Sequence, residues 1–142
     1  PTRAAIIEND GKQISYETLC ERIDEISAAL KSNGIGAGHT VAVSCARNAD
    51  LIAALFAVMR LRAAYVPIEP SFPDVRVMDI LEQSHASMLI TDNSLVDRYS
   101  FSAAPILNLS NLKLNQKALN DNRVENVLLP LRDGVMIVRK LV

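Results

Sequence analysis

Few side chains in these 142 residues have types and spacings that could do chemistry. Cys45 ends the β-branched run Thr40–Cys45 just ahead of a helix start, where a helix N-terminus can activate a thiol as a nucleophile. No histidine lies near it in sequence, so a buried structural thiol is the stronger reading. Gly34, Gly36 and Gly38 spell G-x-G-x-G. A Rossmann phosphate turn follows a strand and opens a helix, whereas these glycines follow a helix and precede a strand. They read as a helix stop and tight turn. His39 ends that turn with no second ligand at metal spacing, and reads as a solvated loop residue. Pro67, Pro70 and Pro73 recur at every third position. Each fixes its own φ and pushes the preceding residue toward extended backbone. Set in a polar linker, such a ladder could be a polyproline ligand for an aromatic groove. Here it is fused to the apolar strand Ala64–Ile68 and reads as a stiff strand-to-helix crossover.

The elements that must carry these residues follow from patterning. Ala4–Ile7 and Gln13–Ser15 flank Asp10-Gly11, an opening antiparallel hairpin. Ser15 caps a helix whose apolar stripe is Leu19, Ile23, Ile26 and Leu30, with Glu21, Arg22, Asp24, Glu25 and Lys31 on the solvent side; Gly34 stops it. Thr40–Cys45 is a buried strand. Asn48 caps the next helix, whose Leu51, Ile52, Leu55, Phe56, Val58 and Met59 cover more than one face and predict wide burial. After the strand Ala64–Ile68, Pro73 opens a helix to Ser84 with Val77, Met78 and Leu81 facing in. Met88–Thr91 is a strand, Asp92–Arg98 a short Asx-capped helix, and Pro105–Leu109 another strand. Residues 110–125 read as polar loop, with one helical turn around Gln116–Leu119, and Gly134–Val138 as a last strand. The Tyr65 ring is expected in the core with its hydroxyl on a polar partner. Strands alternating with helices give an α/β fold: a mostly parallel sheet with helices on both faces, behind an opening hairpin.

Composition narrows the function. At 49% apolar and 22% charged the chain is globular, and with a net charge of −1 nothing points to nucleic acid or an anionic membrane as a partner. Two cysteines without C-x-x-C spacing suit free thiols in a reducing compartment, and the cytoplasm is the expected location. No apolar run is long enough to span a bilayer, and no signal peptide is recognisable. The clustered acidic residues of a receiver domain are lacking, which sets aside a flavodoxin-like receiver. A first residue of Pro1 suggests a piece of a longer chain or a processed one.

The stretch Ala63-Ala64-Tyr65-Val66-Pro67-Ile68-Glu69-Pro70-Ser71-Phe72-Pro73, with Arg76, resembles the second core motif of nonribosomal peptide synthetase adenylation domains, members of the adenylate-forming (AMP-dependent synthetase and ligase) superfamily. Ile14-Ser15-Tyr16-Glu17-Thr18-Leu19 resembles the first core motif, and Ala86–Thr91 the strand after the following helix. The family glycine falls on Arg62, with Leu61 in place of the preceding alanine, and His85 stands where the family usually has glycine. His85 reads as tolerated there, not catalytic. The resemblance is strongest over residues 4–109 and implies the N-terminal subdomain of the adenylate-forming fold; residues 131–142 diverge.

The resemblance implies carboxylate activation by ATP, with Mg, to an acyl-adenylate, then transfer to a carrier-protein phosphopantetheine thiol. The family's phosphate loop is Ser/Thr/Gly-rich and ends in Pro-Lys-Gly. Here Asp133–Val138 is followed by Arg139-Lys140-Leu141-Val142, and no glycine follows Gly134. The family's substrate pocket, ribose-binding Asp and lid Lys lie further on. The expectation is a naturally truncated, catalytically inactive remnant over residues 1–142, with no catalytic, cofactor-binding or metal-ligating residue and no cofactor of its own. The alternative is a structural or docking module of a synthetase assembly line. Expected partners are neighbouring condensation or carrier-protein domains, or a second copy joined through the Val135–Val138 edge, with Arg139 and Lys140 limiting runaway pairing.

Overall fold

A computed structural model describes residues 2–112 and the strands 126–131 and 134–139. The chain opens with β1 (Ala4–Ile7) and β2 (Gln13–Ser15), antiparallel partners joined by a turn in which Gly11 adopts φ +85°. Helix α1 (Tyr16–Ser32) follows, its first turn capped by Ser15 Oγ accepting from the Thr18 N–H at 3.1 Å. Next come β3 (Thr40–Val43), α2 (Ala49–Arg60), β4 (Ala64–Pro67), α3 (Asp74–Gln83), β5 (Met88–Thr91), a 3-10 turn at Val96–Tyr99, and β6 (Ile106–Asn108). The four later strands form one parallel sheet in the order β4-β3-β5-β6. The path steps from β3 out to β4, then back over β3 to β5. Right-handed crossovers therefore put α2 on one face and α3 on the other. Helix α1 packs on α2. Opposite them, Ala42, Ile68, Leu89, Val77 and Tyr99 make a buried cluster against α3 and the 3-10 turn. The α/β architecture with its opening hairpin is as the patterning predicts.

Helices α1, α2 and α3 end in the same turn. The Ile35 N–H donates to Leu30 O at 3.0 Å, the Ala63 N–H to Val58 O at 3.2 Å, and the Ala86 N–H to Leu81 O at 3.2 Å. The left-handed residue in each is Gly34, Arg62 (φ 59°) and His85 (φ 50°). Both positions where the family's glycine is missing thus keep the conformation that glycine would serve.

Strand β4 is an edge of the described sheet. The Ala64 N–H donates to His39 O and the Ile68 N–H to Val43 O, each at 2.9 Å. Residues 64, 66 and 68 therefore turn their amides toward β3, Tyr65 turns its N–H outward, and Pro67, next on that outer side, has no N–H to offer. This corrects the expectation for Tyr65, whose residue is 40% exposed because no strand covers its outer side among the described residues. The buried tyrosine is Tyr99, with its hydroxyl 2.6 Å from Ser44 Oγ.

Other expectations are corrected too. Arg22 is 7% exposed rather than solvent-facing. Helix α2 buries Ala53, Ala54, Ala57 and Val58, whose small side chains allow close approach, and leaves Phe56 and Met59 exposed. In α3 Val77 is buried but Met78 is exposed. Asp92 does make an Asx turn, with Oδ1 accepting from the Ser94 N–H at 2.9 Å, but it leads to a single 3-10 turn. Residues 109–112 are helical, where the patterning predicts Leu109 to end a strand and residues 110–112 to be loop. The expected turn at Gln116–Leu119 and Lys140 lie outside the described residues.

Contacts divide the chain into two compact units, Pro1–Leu109 and Ser110–Val142. In the second, β7 (Asn126–Leu131) and β8 (Gly134–Arg139) pair antiparallel, with Val127 opposite Val138. The last strand anticipated from sequence therefore has a partner that was not anticipated.

Candidate functional site

In open α/β sheets ligands gather beyond the carboxyl ends of the strands. Here that edge comprises Ser44–Ala46 after β3, Glu69 after β4, Asp92 after β5 and Leu109 after β6. Its polar groups bond to one another. Asp92 Oδ2 accepts the Ala46 N–H at 2.8 Å, while Oδ1 accepts from the Ser94 N–H and hydroxyl. Ser44 is bonded to Tyr99, and Glu69 pairs with Arg47 at 3.0 Å. Cys45 is 2% exposed, with its thiol 3.8 Å from Ile90 O. Burial, then the nearby Asp92 and Asp50, push that thiol from its ordinary 9.0 up to about 12. It stays protonated and enclosed, the opposite of an activated nucleophile.

On the α1–α2 side of the sheet lies a charged network. Arg22 Nε donates to Asp50 Oδ1 at 2.9 Å, Nη2 to Asp50 Oδ2 at 3.3 Å, and Nη1 to Glu25 Oε2 at 2.8 Å. Nη2 also donates to the main-chain carbonyl of Leu109 at 2.7 Å. Burial works against this cation, but the bonds to Asp50 and Glu25 more than offset it and hold its pKa above the usual value. Sequence reasoning placed Arg22 on the solvent side. It stands three residues after Leu19 and four before Ile26, on the apolar stripe itself, and that spacing was the signal available.

The remaining singled-out residues do not converge on this edge. His39 is exposed, its Nδ1 3.1 Å from the Gly36 N–H it accepts. Arg62 and His85 sit exposed at helix ends. The proline ladder is pinned by Arg98, which donates to the carbonyls of Pro70 and Phe72 and pairs with Asp74 at 3.1 Å. A hollow of about 370 Å³ between β1 and α2 is lined by Ile6, Ile7, Leu51 and Ile52. Of its polar members, Glu8 Oε1 accepts the Ala49 N–H at 2.9 Å, Asn48 caps α2 and Arg47 pairs with Glu69. Among the described residues no group of three or more His, Cys, Asp or Glu could hold a metal. No described helix is long and apolar enough to cross a membrane.

Comparison with known proteins gives a consistent picture. The profile of the family described as AMP-binding enzyme matches residues 1–134. A PKS-NRPS hybrid synthetase, acdB of Aspergillus candidus, is 34% identical over 88% of the chain, which spans only 5% of that protein's length. The N-terminal subdomain of Klebsiella oxytoca NpsA, solved with 3-hydroxybenzoyl-AMSN, superposes with a TM-score of 0.72 at 27% identity, over 81% of this chain and 28% of its own. NpsA-ThdA, an artificially fused adenylation–PCP di-domain from Klebsiella oxytoca, gives a TM-score of 0.72 at 28% identity, over 81% of this chain and 21% of its own.

Proposed function

This chain belongs to the AMP-binding enzyme family, and we propose that it is opening scaffold of a nonribosomal peptide synthetase adenylation domain, without catalytic groups of its own. The observation that carries this reading is the carboxyl edge of the parallel sheet, where Ser44, Cys45, Glu69 and Asp92 are committed to structural partners. The complete reaction joins a carboxylate to ATP, releases pyrophosphate, and passes the acyl group to a phosphopantetheine thiol. On this reading the phosphates, Mg, ribose and acyl group are handled by elements other than these strands, and the 142 residues alone are inactive. Amino-acid-dependent pyrophosphate exchange by the isolated chain should not exceed a no-enzyme control. Exchange above that control with any amino acid would overturn the reading.

The natural partners on this view are other synthetase domains, and the adenylation–carrier fusion among the structural relatives fits it. A second reading, a docking or self-associating module, is favoured by the exposed Phe56 and Met59, one turn apart on α2, since neighbouring large apolar side chains are commonly covered in an assembly. Light scattering across a concentration series separates the two. A mass that stays at 15.5 kDa ends the self-association form, whereas growth to a multiple of it supports that form.

A further inference from the structure

We infer that Arg22 is a positioning residue: by holding the carbonyl of Leu109 it fixes where the chain leaves the carboxyl edge of the sheet. The bond joins residues 87 apart in sequence. Clamping α1 to α2 needs only the two-point contact with Asp50, while Glu25, on the same helix as Arg22, flanks the guanidinium. The further donor goes to an uncharged main-chain oxygen, which adds nothing to charge balance and contributes only placement. That oxygen belongs to the residue at which β6 gives way to helical residues 109–112, and at which the first compact unit ends. Leu109 is fully buried, so without Arg22 its carbonyl has poor access to water in place of the lost donor. The planar guanidinium makes the geometry rigid: two carboxylates set its plane, and the plane aims Nη2 at the carbonyl. A lysine keeps the charge but, as a point donor on a flexible stem, cannot reproduce that aim.

The inference stands whether or not the adenylation reading holds; under that reading, what is positioned is the end of the adenylation domain's first parallel sheet. The test is amide hydrogen exchange on the full chain, comparing wild type with Arg22→Lys, Arg22→Met and Glu25→Gln. Arg22→Lys should speed exchange of residues 109–112 by about tenfold or more, while β3 and β5 stay within about twofold. Arg22→Met should do at least as much at 109–112. Glu25→Gln, which touches the guanidinium only at its flank, should leave 109–112 near wild type. Three results overturn the inference: unchanged exchange at 109–112 in Arg22→Lys, equal acceleration in β3, β5 and 109–112, or failure of Arg22→Lys to fold. If only Arg22→Met fails to fold, Arg22→Lys decides.

Discussion

Tyr99 and Tyr65 are chemically identical and should behave very differently on truncation. The Tyr99 ring is fully buried, edge-on to Phe101 at 6.1 Å between centroids, and its hydroxyl meets Ser44. Tyr99→Ala should cost about 3–5 kcal/mol, the usual range for deleting a buried large aromatic. Tyr65→Ala should cost about 1 kcal/mol or less, since the ring is near the rim of the sheet. Paired urea melts check this, and equal costs would contradict it. The thiols divide in the same way. Cys20 is exposed and Cys45 buried, so a thiol reagent at pH 8 should label one cysteine in the native chain and two in denaturant. Cys45 also links stability to pH. Unfolded it ionises near 9.0, and folded only near 12. Its contribution is therefore fully present below pH 9 and is lost as pH rises through that window, where the unfolded state binds fewer protons. The slope should reach about 1.4 kcal/mol per pH unit. In melts from pH 8 to 11, Cys45→Ala should flatten that part of the fall.

At the scale of elements, the three helices share one ending but not one residue. Gly34 adopts its left-handed backbone without a Cβ clash, whereas Arg62 and His85 adopt it against steric cost. Arg62→Gly and His85→Gly should each raise stability by about 0.5–1 kcal/mol, less whatever freedom glycine adds to the unfolded chain. Chemical denaturation of both variants measures it, and a loss at either site would mean that its side chain makes a compensating contact. The ends at Gly34 and His85 were legible, one from residue type and one from the missing family glycine, whereas Arg62 was marked only as a departure from the resemblance. The caps at Ser15 and Asn48 were legible from residue type, and the strands from β-branched runs. What periodicity left open was how far a neighbour covers a stripe. It marks Leu19, Ile23, Ile26 and Leu30 as one face of α1 without saying that the same contact swallows Arg22. It marks α2 as apolar on more than one face without saying that alanines, not Phe56 and Met59, are the residues buried. Strand β7 was missed because Pro130 and the polar stretch before it argue for loop, although proline is compatible with an edge position.

For the molecule as a whole, the parallel order β4-β3-β5-β6 follows from alternating elements and right-handed crossovers, so the fold was legible before the site was. The carboxyl edge was harder to read, because its contents are pairings between residues as distant as Ala46 and Asp92, or Arg22 and Leu109. No local pattern encodes such pairs. The outward rim of β4 has a consequence for the fate of the chain at high concentration. A strand from another molecule would find the Tyr65 N–H as a donor, but at Pro67 it would find none. Templated fibre growth from that rim is starved of half the donors that a regular rim would offer. Pro67→Thr restores the missing donor on a β-favouring side chain. It should shorten the lag of thioflavin-positive fibril formation under mild agitation while leaving the native melt nearly unchanged. An unaltered lag would show that the proline guards nothing and serves only the stiffness of the crossover behind it.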